Sequence, residues 1–243
     1  MRPDLPEITE VWVYLSGSPL LALLLTLGAY LCGMTLYERS GRHPLANPVL
    51  IAVVIVSVAI TVLDMPYATY FEGAQFVHFL LGTATVALAI PIYQGLASVR
   101  GRAGVLLIAL CGGAVTSIVS AVGLAHALGA DEALAAGLLA KSVTAPIAMG
   151  IAERVQASPT LTAVFAVSTG ILGAVLGRWV LDAMGVKAWW QRGFALGVAS
   201  HGIGTSRAFS VHAEAGAYAS MGMGLHGVIG AMLIPLLANW MAG

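Results

Sequence analysis

The chain has 243 residues, 59% of them apolar and 9% charged, with 11 basic and 11 acidic side chains. Soluble domains carry about 25% charged residues, so this composition excludes a soluble fold; zero net charge without a basic cluster leaves no electrostatic footprint for nucleic acid. What remains is an all-α polytopic membrane protein, with the lipid bilayer as its first partner.

Arg2, Asp4, Glu7 and Glu10 precede an apolar run over 12–37. That run is too long for a signal-peptide core and lacks a small-residue cleavage pattern, so it reads as a retained first span. Further apolar runs cover 48–64, 67–98, 103–126, 133–152, 160–182, 189–212 and 217–240. Most can span a hydrocarbon core of about 30 Å, and the count is eight long helices or about ten shorter ones. Cys32 and Cys111 each lie within an apolar run and read as small packing residues. Asp64, Glu72, Asp131, Glu132 and Asp182 fall at span ends, where they are solvated.

Residue identities recur at a constant offset. Glu38-Arg39 returns as Glu153-Arg154, Pro44 as Pro159, Phe79-x-Leu81-Gly82-x-Ala84 as Phe194-x-Leu196-Gly197-x-Ala199, and Gly101 and Gly112 as Gly216 and Gly227, always 115 positions on. This implies two halves, 1–125 and 126–243, forming one membrane domain. Duplicated halves with interrupted segments in matching places are the pattern of secondary transporters. The first interruption runs from Leu81 to Pro91, with Gly82 and Pro91 as its breaking residues; the second runs from Leu196 to Thr205, with Gly202 and Gly204. Loop charge does not decide between parallel and inverted halves, because four or five crossings per half both divide the basic residues six against four. Either count places the Arg39/Arg42 loop in the cytoplasm.

Between Glu132 and Glu153 the only charged side chain is Lys141. At about 1.5 Å per residue its ammonium lies more than about ten ångströms from either end of the segment. Ser142, Thr144 and the helix-breaking Pro146 stand beside it, as expected of a polar site built at a broken helix. The segment Ser200-His201-Gly202-Ile203-Gly204-Thr205-Ser206-Arg207 concentrates two glycines, three hydroxyls, an imidazole and a guanidinium. Glycines free the backbone to turn, and a helix start beyond them offers N–H donors and a positive dipole end to an anion. His201 suits proton exchange near neutral pH. Arg207 has two readings, a substrate cation or a headgroup anchor. His226 likewise reads as a group near the site or as interhelical glue, and Gly170, Gly173 and Gly177 read as close helix packing.

No span carries an acidic pair for a bare cation, which favours a negatively charged solute. Metal-ligand spacing, a phosphate loop and a dinucleotide fingerprint are missing, and Ser200 lacks an orienting carboxylate. The expectation is no enzyme, no cofactor and no metal.

Two segments resemble the LrgB/CidB family of bacterial membrane proteins, which also covers the LrgB-like half of a plastid glycolate/glycerate carrier. The family pattern is close to Pro-Lys-Ser-Val-Thr-Thr-Pro-Ile-Ala-Met and Ala-Ser-His-Gly-Ile-Gly-Thr-Ala-Arg-Ala. This chain has Ala140-Lys141-Ser142-Val143-Thr144-Ala145-Pro146-Ile147-Ala148-Met149 and Ala199-Ser200-His201-Gly202-Ile203-Gly204-Thr205-Ser206-Arg207-Ala208. It departs from the pattern at Thr83, Ala140 and Ala145.

The resemblance implies inverted-topology repeats of about 115 residues with broken helices crossing near mid-membrane. It also implies two rival functions in the bacterial cytoplasmic membrane. One is a carrier of small 2-hydroxy or 2-oxo monocarboxylates such as glycolate, glycerate or pyruvate. The other is a holin- or antiholin-like modulator of murein hydrolase activity, acting with an LrgA/CidA-type membrane partner. For the carrier, Lys141, Ser142, Thr144, Ser200, Thr205, Arg207 and Thr85 are the expected substrate-binding residues, and His201 and His226 the proton-coupling ones. A homodimer is compatible with either.

Overall fold

The computed structural model describes residues 19–87, 90, 93 and 101–242, and every regular element among them is helical. Four helices, at Pro19–Arg39, Ala103–Ala127, Pro159–Ala183 and Ala213–Ala238, are long and apolar enough to cross a bilayer. The protein is an integral membrane protein. By internal packing it divides into Met1–Ala87 and Leu88–Gly243, a different boundary from the 125/126 division of the repeat offset.

The first unit holds α1 (Pro19–Arg39), a 3-10 turn (Pro44–Ala46), α2 (Pro48–Val62) and α3 (Tyr67–Ala87). Asn47 starts α2, its Oδ1 accepting from Val49 N and Leu50 N at 2.9 and 3.1 Å, with Pro48 in the first turn where its missing N–H costs nothing. Glycine sets the spacing: a Cβ on Gly33 would come within 2.6 Å of Pro48 O, and one on Gly73 would collide with Pro19 and Ala22. The hydroxyls of Thr26 and Tyr70 join α1 to α3 at 2.8 Å. α3 continues through Gly82 to Ala87 without the interruption expected at Gly82, because one glycine lowers helix propensity by only about 1 kcal/mol. Pro91 and the side chain of Thr85 lie outside the described residues.

The second unit holds α4 (Ala103–Ala127), α5 (Glu132–Leu138), α6 (Ala145–Arg154), α7 (Pro159–Ala183), α8 (Trp189–Val211) and α9 (Ala213–Ala242). Caps match the sequence at two starts: Asp131 Oδ1 accepts from Leu134 N at 2.8 Å, and Ser158 Oγ from Leu161 N at 3.3 Å.

Two of these elements are hairpins. His201 has φ 41 and ψ −133, close to the first central residue of a type II′ turn, a region where an L side chain is strained. The chain reverses there: a Cβ on Gly204 would lie 2.7 Å from Leu196 O. At the base, the His212 ring stacks on Trp189 with centroids 4.9 Å and planes 7° apart. A straight helix of 23 residues would hold its ends roughly 34 Å apart. α9 then runs parallel to the first arm, packed so closely that a Cβ on Gly193 or Gly197 would overlap the carbonyls of Ala215 and Ala219.

α5 and α6 form the other hairpin. Gly137 on α5 lies against Thr162 and Phe165 in the first turns of α7. That is the end of α7 to which the short loop from Arg154 delivers the chain. The pair therefore enters and leaves at one end, with 139–144 as the turn, packed in a core of Ala140, Val143, Ala148, Ile151 and Ala166. α8 starts from the opposite end of α7. The two turns thus meet beside the middle of α7, because the backbone at each break doubles back.

Candidate functional site

The two turns converge on an open cavity of about 1020 Å³. From the first turn come Lys141 and Ser142, from the second Ser200, from α4 Thr116 and Ser117, and from α7 Thr169. The rest of the wall is mainly apolar, with Leu106, Leu176 and Phe194 among its residues.

Among the described residues Lys141 is the one cation lining this cavity. Its Nζ donates to Ser117 Oγ at 2.8 Å and to Ser142 Oγ at 3.3 Å, and the two hydroxyls lie 2.7 Å apart. An ammonium has three N–H donors and no acceptor, so two neutral hydroxyls leave both its charge and one donor uncompensated. Among the described residues no carboxylate forms an ion pair with it. Ser200, 1% exposed, has an Oγ with no hydrogen-bond partner among the described residues. A buried hydroxyl without a partner costs about 1–3 kcal/mol. Gly173 makes room for it, since a Cβ there would overlap Ser200 Oγ. The site therefore presents a cation and a hydroxyl on one turn, bonded to a second hydroxyl on α4, and an unsatisfied hydroxyl on the other turn.

The other expected residues lie elsewhere. Thr144 caps α6 without a side-chain bond, its Oγ1 buried and unpartnered, and Pro146 sits in the first turn of that helix. Thr205 Oγ1 donates to His201 O at 2.8 Å, the back-bond a helical threonine makes in an apolar setting. Thr144, Thr205, Arg207, His201 and His226 do not line the cavity. His201 Nε2 donates to Ala166 O at 2.8 Å, and His226 Nδ1 to Val198 O at 2.7 Å. A carbonyl only accepts, so those ring nitrogens carry protons. Both histidines thus tie the second turn to its neighbours: His201 reaches α7, and His226 reaches from α9 to a carbonyl three residues before the reversal. Gly202 and Gly204 follow the reversal, which falls on His201 itself.

Sequence reasoning missed Ser117, Thr116 and Thr169. Hydroxyls are common in apolar helices, where they bond the preceding turn, so Ser117 carried no local signal. Among the described residues no group of three His, Cys, Asp or Glu is placed to hold a metal ion.

The LrgB-like family model matches residues 26–240, a stretch that contains both turns and the whole cavity lining. The chain belongs to the LrgB-like family. Holin-like protein CidB of Staphylococcus epidermidis is 30% identical over 217 residues, 89% of this chain and 94% of that protein. Uncharacterized protein YxaC of Bacillus subtilis is 33% identical over 222 residues, covering 90% of this chain and 94% of the relative. Holin-like protein CidB of Staphylococcus aureus is 28% identical over 218 residues, covering 90% and 95%. No solved structure matches the chain.

Proposed function

We propose that this LrgB-like protein is a holin-like protein of the bacterial cytoplasmic membrane that modulates murein hydrolase activity and lysis together with an LrgA/CidA-type membrane partner. The observation that supports this reading is that two relatives aligned over about nine-tenths of the chain bear the name holin-like protein CidB. The test is expression in a bacterial host with and without such a partner, scoring lysis and murein hydrolase activity in extracts. An effect that requires both proteins supports the reading; no change with either sinks it.

One feature of the site favours a second reading, a non-enzymatic secondary carrier of small 2-hydroxy or 2-oxo monocarboxylates. A half-buried cation held by two neutral hydroxyls beside an unsatisfied third invites an anion with a second polar group. Lys141 would neutralise the carboxylate, Ser142 and Ser200 would bond its oxygens, and the histidines would supply proton coupling. Two inverted repeats, 1–125 and 126–243, fit this reading. Its support is the element order: α1, α2, α3 and α4 against the first hairpin, α7, α8 and α9. Saturable uptake of labelled glycolate into proteoliposomes under a pH gradient, competed by pyruvate and lost in Lys141→Ala, is the result expected of a carrier. Unselective leakage from the same vesicles returns the answer to the holin-like reading.

A further inference from the structure

The cavity lining keeps one register on three helices. On α4 it runs from Val105 to Ser117 and stops there, although the helix continues to Ala127. On α7 it begins at Thr169, ten residues past Pro159, and continues to Met184. On α8 it runs from Trp190 to Ser200 and includes nothing from the returning arm. All three sets extend from the end where α7 hands over to α8 and finish at the level of Lys141, Ser142 and Ser200. Beyond that level the unit is apolar and tight: Val143 and Ala148 are 2% and 0% exposed and pack with Ala166 and Ile234. The flank carries exposed Leu172 and Val180, which suit hydrocarbon, and hydrocarbon excludes a hydrated ion.

We infer that in this conformation a water-borne anion reaches Lys141 from one membrane face only, the face of the α7–α8 turn, and that the Ser117–Lys141–Ser142 cluster is the closed floor of that path. The cavity is a blind vestibule, not a through-pore. This goes beyond both proposed functions: it concerns the resting access path, from which a carrier would still open the other face during turnover.

The path is read by cysteine labelling in the full-length protein, with Cys32 and Cys111 replaced by serine. Lys141→Cys, Ser142→Cys and Thr169→Cys are each exposed, in sealed vesicles of both orientations, to a membrane-impermeant anionic methanethiosulfonate. Lys187→Cys, on the exposed α7–α8 turn, and Glu153→Cys, at the base of the first hairpin, mark the two faces. The expected result is much faster reaction at the site cysteines from the face that labels Lys187→Cys than from the face that labels Glu153→Cys. Equal rates from the two faces, or faster reaction from the Glu153→Cys face, overturn the inference. So does silence from both faces by cysteines that react once the protein is in detergent. Three site positions keep the test alive if one variant fails to insert, and no step requires transport or lysis activity.

Discussion

The two turns that meet at the cavity solve the same problem, unpaired backbone and polar groups in an apolar medium, by different means. At the first, six residues from Leu139 to Thr144 leave the helix, and side chains close the gap: Lys141 and Ser142 bond to each other and to Ser117 on α4. At the second, the reversal is compressed onto one strained residue, and histidines from two helices meet backbone carbonyls, His201 on Ala166 and His226 on Val198. The first turn holds Lys141 and Ser142 against one another and keeps a charge facing the cavity, while Thr144 Oγ1 has no partner among the described residues. The second uses its polar groups to hold the backbone, and only Ser200 is left over. The lesson is that ionisable side chains near mid-membrane divide into those that hold the fold and those that face the cavity, and only their partners tell which is which.

The largest expected effect breaks the first turn's chemistry without its fold. Lys141→Met removes a cation that bonds two neutral hydroxyls and pairs with no carboxylate among the described residues, so thermal unfolding in detergent should hold or rise. If the protein is a carrier, glycolate uptake in that variant should fall at least tenfold, the equivalent of losing a charge-assisted bond of about 1.5–3 kcal/mol. A variant that unfolds instead would make Lys141 structural.

The second turn should respond in the opposite sense. His201→Val removes the bond to Ala166 O and puts a β-branched side chain at φ 41, so a loss of about 3 kcal/mol in unfolding is expected. His201→Gly loses the bond but relieves the backbone, and should cost less than the valine variant. Equal losses would mean that the backbone conformation contributes nothing.

A smaller effect tests the junction of turn and helix. Gly173→Ala should destabilise by about 1–3 kcal/mol through overlap with Ser200 Oγ. Ser200→Ala alone removes an unsatisfied hydroxyl and should stabilise by about 1 kcal/mol. In the double variant the two changes should couple, which a double-mutant cycle on unfolding reads directly; additive values would separate the residues. Smallest of all, Ser117→Ala should leave unfolding within about 1 kcal/mol, and, for a carrier, weaken apparent affinity for glycolate several-fold while Ser117→Thr retains it.

Much of this was written in the chain. The apolar runs at 103–126 and 160–182 became α4 and α7 almost to the residue, and Lys141, Ser142 and Ser200 stand out in the sequence because polar groups inside apolar runs are conspicuous. The 115-residue offset aligns Pro44 with Pro159, yet Pro44 opens a 3-10 turn and Pro159 a 25-residue helix. The matching start is Pro48, four residues later, so loop length differs where residue identity agrees. Thr205 and Arg207 looked equal to Ser200 in sequence. The reversal at His201 carried them onto the returning arm, away from the cavity lining.

Composition and long apolar runs determined by themselves that this is a helical membrane protein, since continuous apolar runs of about 20 residues match a spanning helix and not the short alternating strands of a barrel. The sequence also determined which polar groups fall inside apolar segments, Lys141 and His201 among them. Only the tertiary structure decided their roles. A run over 189–212 is long enough to cross a bilayer or to fold back halfway, and nothing local separates the two. The choice was made by Gly197 and Gly204, which let backbones approach within contact, and by Ser117, which waits on another helix for a lysine 24 residues away.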